Sequence, residues 1–307
     1  MTILSPFFCA DLCRQTSEQA CGTASIGDVW LLLEYPAAWE RKAVEESELP
    51  PDVKAFLFNT IKTIPRARIL LIKSDRVRRG DFTFYVVRSS ERAPITIKFA
   101  LDSYDKLTEL DIATIAAGDA GSRGEIVSRP LYLICTHGRR DKCCAKFGYP
   151  LYKALSGLKE ETVWQSSHVG GDRFAANLVC LPHGLFYAHV SEAGGRKIIG
   201  EYGAGRVVLD KYRGRTCYSH PVQAAEFFIR KETGITGVDD LRHVGSERLD
   251  AKSWRVEFRH LLNGVLFEVE IRTRVSEFQN YITCDASEQK SVPEFVLYMF
   301  RASREIG

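Results

Sequence analysis

Two short segments hold the residues of this chain best suited to binding a metal or doing redox chemistry. The first runs Cys135-Thr136-His137-Gly138-Arg139-Arg140-Asp141-Lys142-Cys143-Cys144, and the second His168-Val169-Gly170-Gly171-Asp172-Arg173-Phe174-Ala175-Ala176-Asn177. Each follows an apolar, β-branched or aromatic run, Leu131 to Ile134 and Thr162 to Trp164, and is therefore expected to leave a buried strand as a loop. Soft thiols and an imidazole on two loops at one end of a sheet are the usual makings of a metal or ligand site.

Within the first loop, Arg139, Arg140 and Lys142 favour the ionised form of a nearby thiol, which helps both metal binding and nucleophilicity. Cys143 and Cys144 are adjacent, and neighbouring side chains in an extended segment point to opposite sides, so only one of them should face a shared site. In the second loop Gly170-Gly171 permits a tight turn with close backbone approach, letting His168 and Asp172 point into one cavity. Asp172 has another use, as an ion-pair partner for Arg173 or a loop arginine, or as a cap for the segment at Phe174.

Two thiolates, an imidazole and a carboxylate suit tetrahedral zinc, although the short C-x2-C pairs of zinc knuckles are absent. The same set suits a [2Fe–2S] cluster with thiolates on one iron and nitrogen or oxygen ligands on the other. The rival chemistry is a thiol–disulfide oxidoreductase or peroxidase using Cys135 or Cys144, against which stands the lack of a C-x-x-C after a strand.

The elements that must position these loops follow from pattern. Val29 to Leu33, Ala67 to Lys73, Phe82 to Arg88 and Ile95 to Leu101 read as strands, with helices over Asp52 to Ile64 and Leu107 to Ala117, and Gly118 to Ser128 ends this α/β unit. A like order recurs: a strand over Leu131 to Cys135, a helix over Gly148 to Leu158, and a strand over Thr162 to Gln165. A hairpin of Phe174 to Leu181 with Leu185 to Val190 follows, then a short helix within Glu201 to Tyr212. The recurrence suggests a structural duplication. A helix over Pro221 to Thr233 and strands near Trp254 to His260, Val265 to Thr273 and Gln279 to Cys284 form a small α+β cap, with Asn263-Gly264 marking a hairpin. The resulting division is a Cys-containing leader over 1–24, α/β units over 25–128 and 129–212, and the cap over 213–307, in which nothing reads as catalytic.

With 45% apolar and 26% charged residues the composition is that of a globular protein, and a net charge of +3 gives no argument for nucleic acid as a partner. No apolar run reaches the roughly 20 residues of a membrane helix, and Met1 to Ala10 lacks the marks of a signal peptide, so a soluble, cytoplasmic protein is expected. The nine cysteines are odd in number and irregular in spacing, which speaks against a disulfide-stapled scaffold. Cys9, Cys13 and Cys21 are expected in a mobile leader, and Cys180 and Cys284 as small core hydrophobes.

The Cys-x-His-Gly-x-Arg-Asp-Lys-x-Cys loop and the His-x-Gly-Gly-x-x-Phe-Ala-x-Asn loop together resemble the sucrase/ferredoxin-like proteins, and the resemblance extends from about Cys21 through Arg213-Gly214-Arg215. It implies tandem thioredoxin-like units, the second a thioredoxin-like ferredoxin domain binding a [2Fe–2S] cluster, in an electron carrier or redox sensor rather than a stand-alone catalyst. The family's cysteine ligands fall on Cys135 and Cys144, and the histidine opening its second loop falls on His168. Yeast-type members have a second histidine where this chain has Asp172, so the fourth ligand is open among Asp172, Cys143, Cys180, Cys217 and solvent. The basic loop with Lys146 would then offer a docking face to an acidic redox partner, a reductase or an acceptor. No carboxylate pair stands out for glycoside hydrolysis despite the family's name.

Overall fold

The computed structural model describes residues 7–75, 80–158 and 162–304; the start of the expected leader, 1–6, and the last residues of the cap, 305–307, lie outside it. A ten-stranded mixed sheet runs through both α/β units. In the first unit, β1 (Val29–Glu34) pairs parallel to β2 (Ala67–Lys73) and antiparallel to β3 (Phe82–Arg88), which pairs with β4 (Ile95–Leu101) and through it with the short β5 (Glu125–Ile126). The second unit repeats this order. β6 (Leu131–Cys135) is parallel to β7 (Val163–Ser166) and antiparallel to β8 (Leu178–Leu181), followed by β9 (Leu185–Tyr187) and β10 (Tyr212–Arg215). Each half therefore has a thioredoxin-like parallel pair extended by an antiparallel hairpin, and the halves join where β2 meets β7 antiparallel at Ile72–Ser166.

Alternation along the strands divides the core between the two faces of this sheet. Leu31, Leu33 and Leu71 pack under α2 (Pro51–Thr63) and α3 (Ile112–Ala116), while Tyr132 and Ile134 pack under α4 (Tyr149–Ser156) and α5 (Glu192–Gly203). On the opposite face Trp30, Leu32, Ile72, Leu133 and Cys135 join a core closed over by Ala24, Cys144 and Val169. The pleat thus turns Cys135 toward the face opposite α2, α3, α4 and α5.

Several expectations are corrected in this part of the chain. The helix within Glu201 to Tyr212 is instead α5, with Ser191 as its N-cap, and Tyr212 begins a strand. Gly194, Gly195 and Gly200 weaken the sequence signal for α5, yet Gly195 lets it pack against Leu155, too close for a side chain. The strand expected from Phe174 begins only at Leu178, because Asp172–Phe174 forms a tight 3-10 turn. The helix expected from Leu107 is a 3-10 turn over Tyr104–Glu109 followed by the short α3.

The cap consists of α6 (His220–Thr233) on a four-stranded antiparallel meander, β11 (Leu241–Arg248), β12 (Ser253–His260), β13 (Leu266–Val275) and β14 (Pro293–Ser303). β12 and β13 form the hairpin expected at Asn263-Gly264, where Gly264 has a φ of +71°. Gln279 to Cys284 is not a strand: it lies in the connection between β13 and β14, and β14 supplies the edge instead.

The cysteines assigned to a mobile leader are buried. α1 (Cys9–Gln15) packs its Cys9, Ala10 and Cys13 inward, and Arg14 donates to the Ala175 carbonyl. Beneath α1, His189 donates from Nδ1 to the Ala175 carbonyl, and its Nε2 lies 3.4 Å from Cys13 Sγ. Burial and the neighbouring Arg14 lower the His189 pKa from 6.5 to about 4. This docking is complete above pH 6.5 and weakens as pH falls toward 4, because protonation then costs more in the folded chain than in the unfolded one. The loss is expected to reach up to about 3 kcal/mol at full protonation. In His189→Asn, which retains a residue tolerant of the positive φ, urea unfolding across this pH range should show a correspondingly shallower acid dependence.

Candidate metal centre

β6 and β7 end side by side, and their loops bring donors from both predicted segments together. Cys135 Sγ, Cys144 Sγ and His168 Nδ1 all lie within 4.8 Å of one another. His168 Nδ1 is 4.0 Å from Cys135 Sγ, 3.9 Å from Cys144 Sγ and 3.1 Å from Asp172 Oδ1, and Asp172 Oδ1 is 3.7 Å from Cys144 Sγ. Asp172 therefore faces His168 and Cys144; Arg173 turns away to a nearly buried ion pair with Glu18.

Cys144 reaches the site because the chain after β6 turns back as a helix. Cys143 has helical backbone angles, and Cys144–Gly148 forms a wide turn that runs into α4. Helical rather than extended geometry separates the adjacent cysteines: Cys144 joins the Cys135 core, and Cys143 points into another cluster. Gly148 makes the return possible, since a Cβ there would lie 2.0 Å from the Cys135 carbonyl oxygen.

The second loop is held almost atom by atom. The Val169 carbonyl accepts from Ser25 Oγ and Arg68, the Gly170 carbonyl from Arg213, and the Gly171 carbonyl from Asn177 Nδ2. Gly170 and Gly171 both have positive φ, and a Cβ on either would strike Ser25 Oγ or the Arg213 guanidinium. His137, present in the first loop but not among the expected ligands, takes a positioning role. Its Nδ1 accepts the His168 backbone N–H at 3.2 Å, which leaves Nε2–H to donate to the Glu40 carbonyl at 2.7 Å. Burial lowers the His137 pKa and so favours this neutral form.

The donors share protons unevenly. The Cys144 hydrogen bond, with His168 behind it, holds the Cys135 thiol well below its ordinary range against the effect of burial. That same hydrogen bond and burial push Cys144 up. Burial disfavours a charged His168, but Cys135 and Asp172 outweigh it and raise the pKa; burial also raises that of Asp172. Cys135 is thus the donor inclined toward the thiolate and Cys144 the one inclined toward the thiol.

The site opens onto a cleft of about 220 Å³ lined by Arg41, Lys42, Arg140, Ser167 and His168. Of the basic residues expected to form a docking face, Arg140 lines this cleft, Arg139 is paired with Glu40, Lys146 with Asp11, and Lys142 sits over Phe7 and Phe8. Two reserve ligands lie elsewhere. Cys180 is on the opposite sheet face among Tyr132 and Leu185, and Cys217 packs against the cap core. The third, Cys143, belongs with Cys9, Cys284 and Asp141 in a second donor cluster, so Cys284 is more than an isolated core thiol. That cluster left no signal in local sequence, since its members meet only through tertiary folding.

A family model described as sucrase/ferredoxin-like matches residues 20–214, a stretch containing both loops and both thioredoxin-like units. In comparisons with curated proteins and with solved structures, nothing matches. Among the described residues, no helix is long and apolar enough to cross a membrane.

Gly148 and Gly157 offer a matched test of how the first loop is held. Both have helical backbone angles, but a Cβ at Gly157 meets nothing within 4 Å. Gly148→Ala should lower unfolding free energy by about 1–3 kcal/mol, and Gly157→Ala should be neutral or stabilise by up to about 1 kcal/mol, both read from urea midpoints. Equal effects of the two substitutions would remove the close contact with Cys135 from the account.

Proposed function

The chain belongs to the sucrase/ferredoxin-like family, and from this together with its donor set we propose that it is a [2Fe–2S] protein acting in one-electron transfer or redox sensing. The observation that carries the reading is the meeting of Cys135, Cys144 and His168, with Asp172 beside them, at the adjoining ends of two strands. Two thiolates and an imidazole are of the right type for mixed ligation, and Asp172 is the neighbouring oxygen donor. When bound, such a cluster accepts and releases single electrons.

The protein's own residues supply the setting. Cys135 is already inclined to the thiolate, and His137 fixes the backbone from which His168 projects. Cys135 and Cys144 are buried, whereas the His168 side chain is 20% exposed at the cleft, so His168 is the donor whose proton can exchange with solvent. Deprotonation there would lower the midpoint potential as pH rises. Lys42 and Arg140 give the cleft the charge to receive an acidic reductase or acceptor, while Arg41 at its rim is paired with Asp285.

A second reading, a single zinc ion, is favoured by the spacing itself. The three donors lie within 4.8 Å, as they would around one centre, and Asp172 could complete a tetrahedron. Iron, acid-labile sulfide and zinc analysis of anaerobically purified protein separates the two, together with low-temperature EPR after dithionite. About two irons and two sulfides per chain, lost in Cys135→Ser and in His168→Ala, are expected. Iron- and sulfide-free protein with zinc that disappears in Cys135→Ser would replace the electron carrier with a structural site. In the iron-loaded protein, Asp172→Ala should change the EPR g values if Asp172 is the fourth ligand and leave them unaltered if it is not.

A further inference from the structure

Behind the first centre, three cysteines from distant parts of the chain converge. Cys9 Sγ lies 3.6 Å from Cys143 Sγ and 3.6 Å from Cys284 Sγ, and Cys143 Sγ lies 3.2 Å from Cys284 Sγ. The Asp141 carboxylate borders this triangle, with Oδ2 4.0 Å from Cys9 Sγ, and all four donors lie within 4.8 Å of one another. The cluster is closed: Cys9 and Cys143 have no exposure, Asp141 is 3% exposed and Cys284 8%. Phe7, Phe8, Phe147 and Tyr281 pack around the thiols.

Packing alone accounts for three buried thiols, and the Asp141 carboxylate adds a fourth donor atom within the same 4.8 Å. Asp141 accepts the backbone N–H groups of Cys143 at 2.8 Å and Cys284 at 2.7 Å, and among the described residues no cation forms an ion pair with it. A divalent ion at the centre would be held by all four donors at once, which converts three weakly interacting thiols into ligands.

We propose that Cys9, Cys143 and Cys284, with Asp141 as fourth ligand, form a second metal centre that holds a structural zinc ion. Soft thiolates in a closed, four-donor arrangement suit zinc better than calcium or magnesium, which prefer oxygen. Tetrahedral Zn–S bonds of about 2.3 Å set sulfurs roughly 3.8 Å apart, so the triangle needs only a small expansion to receive the ion. Binding forms three S–Zn bonds and one O–Zn bond to Asp141, displaces the ion's water ligands and releases the three thiol protons to solvent. The backbone N–H groups of Cys9 and Ala10, each 3.5 Å from a cluster sulfur, help to carry the thiolate charge. The ion would tie α1, the first ligand loop and the cap's β13–β14 connection together, one residue from Cys144.

This inference stands apart from the iron–sulfur reading, and the experiment keeps them distinct. Full-length protein, its Cys135→Ser/Cys144→Ser variant, and that variant carrying in addition Cys9→Ser or Cys284→Ser are purified under reducing conditions and assayed for zinc and iron. About one zinc per chain is expected in the wild type and in Cys135→Ser/Cys144→Ser, falling at least tenfold when Cys9→Ser or Cys284→Ser is added. Because either added substitution could prevent folding, chelator-stripped Cys135→Ser/Cys144→Ser protein is also titrated with Co2+. Thiolate-to-cobalt charge-transfer absorption with tetrahedral d–d bands is expected, displaced by Zn2+. Absence of these bands, zinc that survives Cys9→Ser and Cys284→Ser in the Cys135→Ser/Cys144→Ser background, or a zinc-free Cys143–Cys284 disulfide found by mass spectrometry would each overturn the proposal. Iron content in the same samples reports separately on the first centre.

Discussion

The geometry of the second ligand loop depends on one buried cation. Arg213 is 2% exposed and donates to the Gly170 carbonyl, Asn177 Oδ1, Thr23 Oγ1 and the Thr23 carbonyl. Burial, with Arg173 nearby, lowers its pKa to about 9, which still leaves it charged at neutral pH. Burying a guanidinium is costly unless its N–H groups find acceptors, so the strand that carries Arg213 favours the positions of these four. The Gly-Gly turn, the start of β8 and the segment before β1 are thereby set at once. Phe174 and Phe186 stack on the guanidinium and exclude water from these bonds.

This explains why a loop rather than a helix or strand can present His168. Loops usually give weaker positional control than regular elements, but here the carbonyls from Val169 to Gly171 all have side-chain donors. The absence of side chains at Gly170 and Gly171 is the complement of that network. The space a Cβ would need is occupied by Ser25 and Arg213. The loop is consequently organised by the protein's own bonds, which would reduce the ordering that any binding there must cost.

What the sequence made legible was local. Apolar runs located β6 and β7, the paired glycines located the turn, and the hairpin at Asn263-Gly264 followed from its own chemistry. The tandem order of elements could likewise be read before the shared sheet was seen. What escaped depended on tertiary context. α5 is rich in glycine because it packs tightly on α4, and propensity alone argues against it. Cys9 and Cys284 meet across 275 residues, a convergence that no spacing rule can express. His137 became a positioning residue only once Glu40 and the His168 amide were seen on either side of its ring.

The two donor clusters differ in where their residues come from, and this bears on how the chain is built. Cys135, Cys144 and His168 belong to the family portion, whereas Cys9 and Cys284 lie in the flanking segments and meet it at Asp141 and Cys143. The flanks also bind each other directly: Gln19 makes two hydrogen bonds with the Phe295 backbone, and Asn280 donates to Thr16 and Glu18. Glu18 in turn pairs with Arg173, next to Asp172. The N-terminal segment thus acts as an adaptor between the cap and both ligand loops. The cap has a physical task, because Tyr281 and Cys284 bury the back of the loop that carries Cys144 and leave the His168 side as the exposed approach.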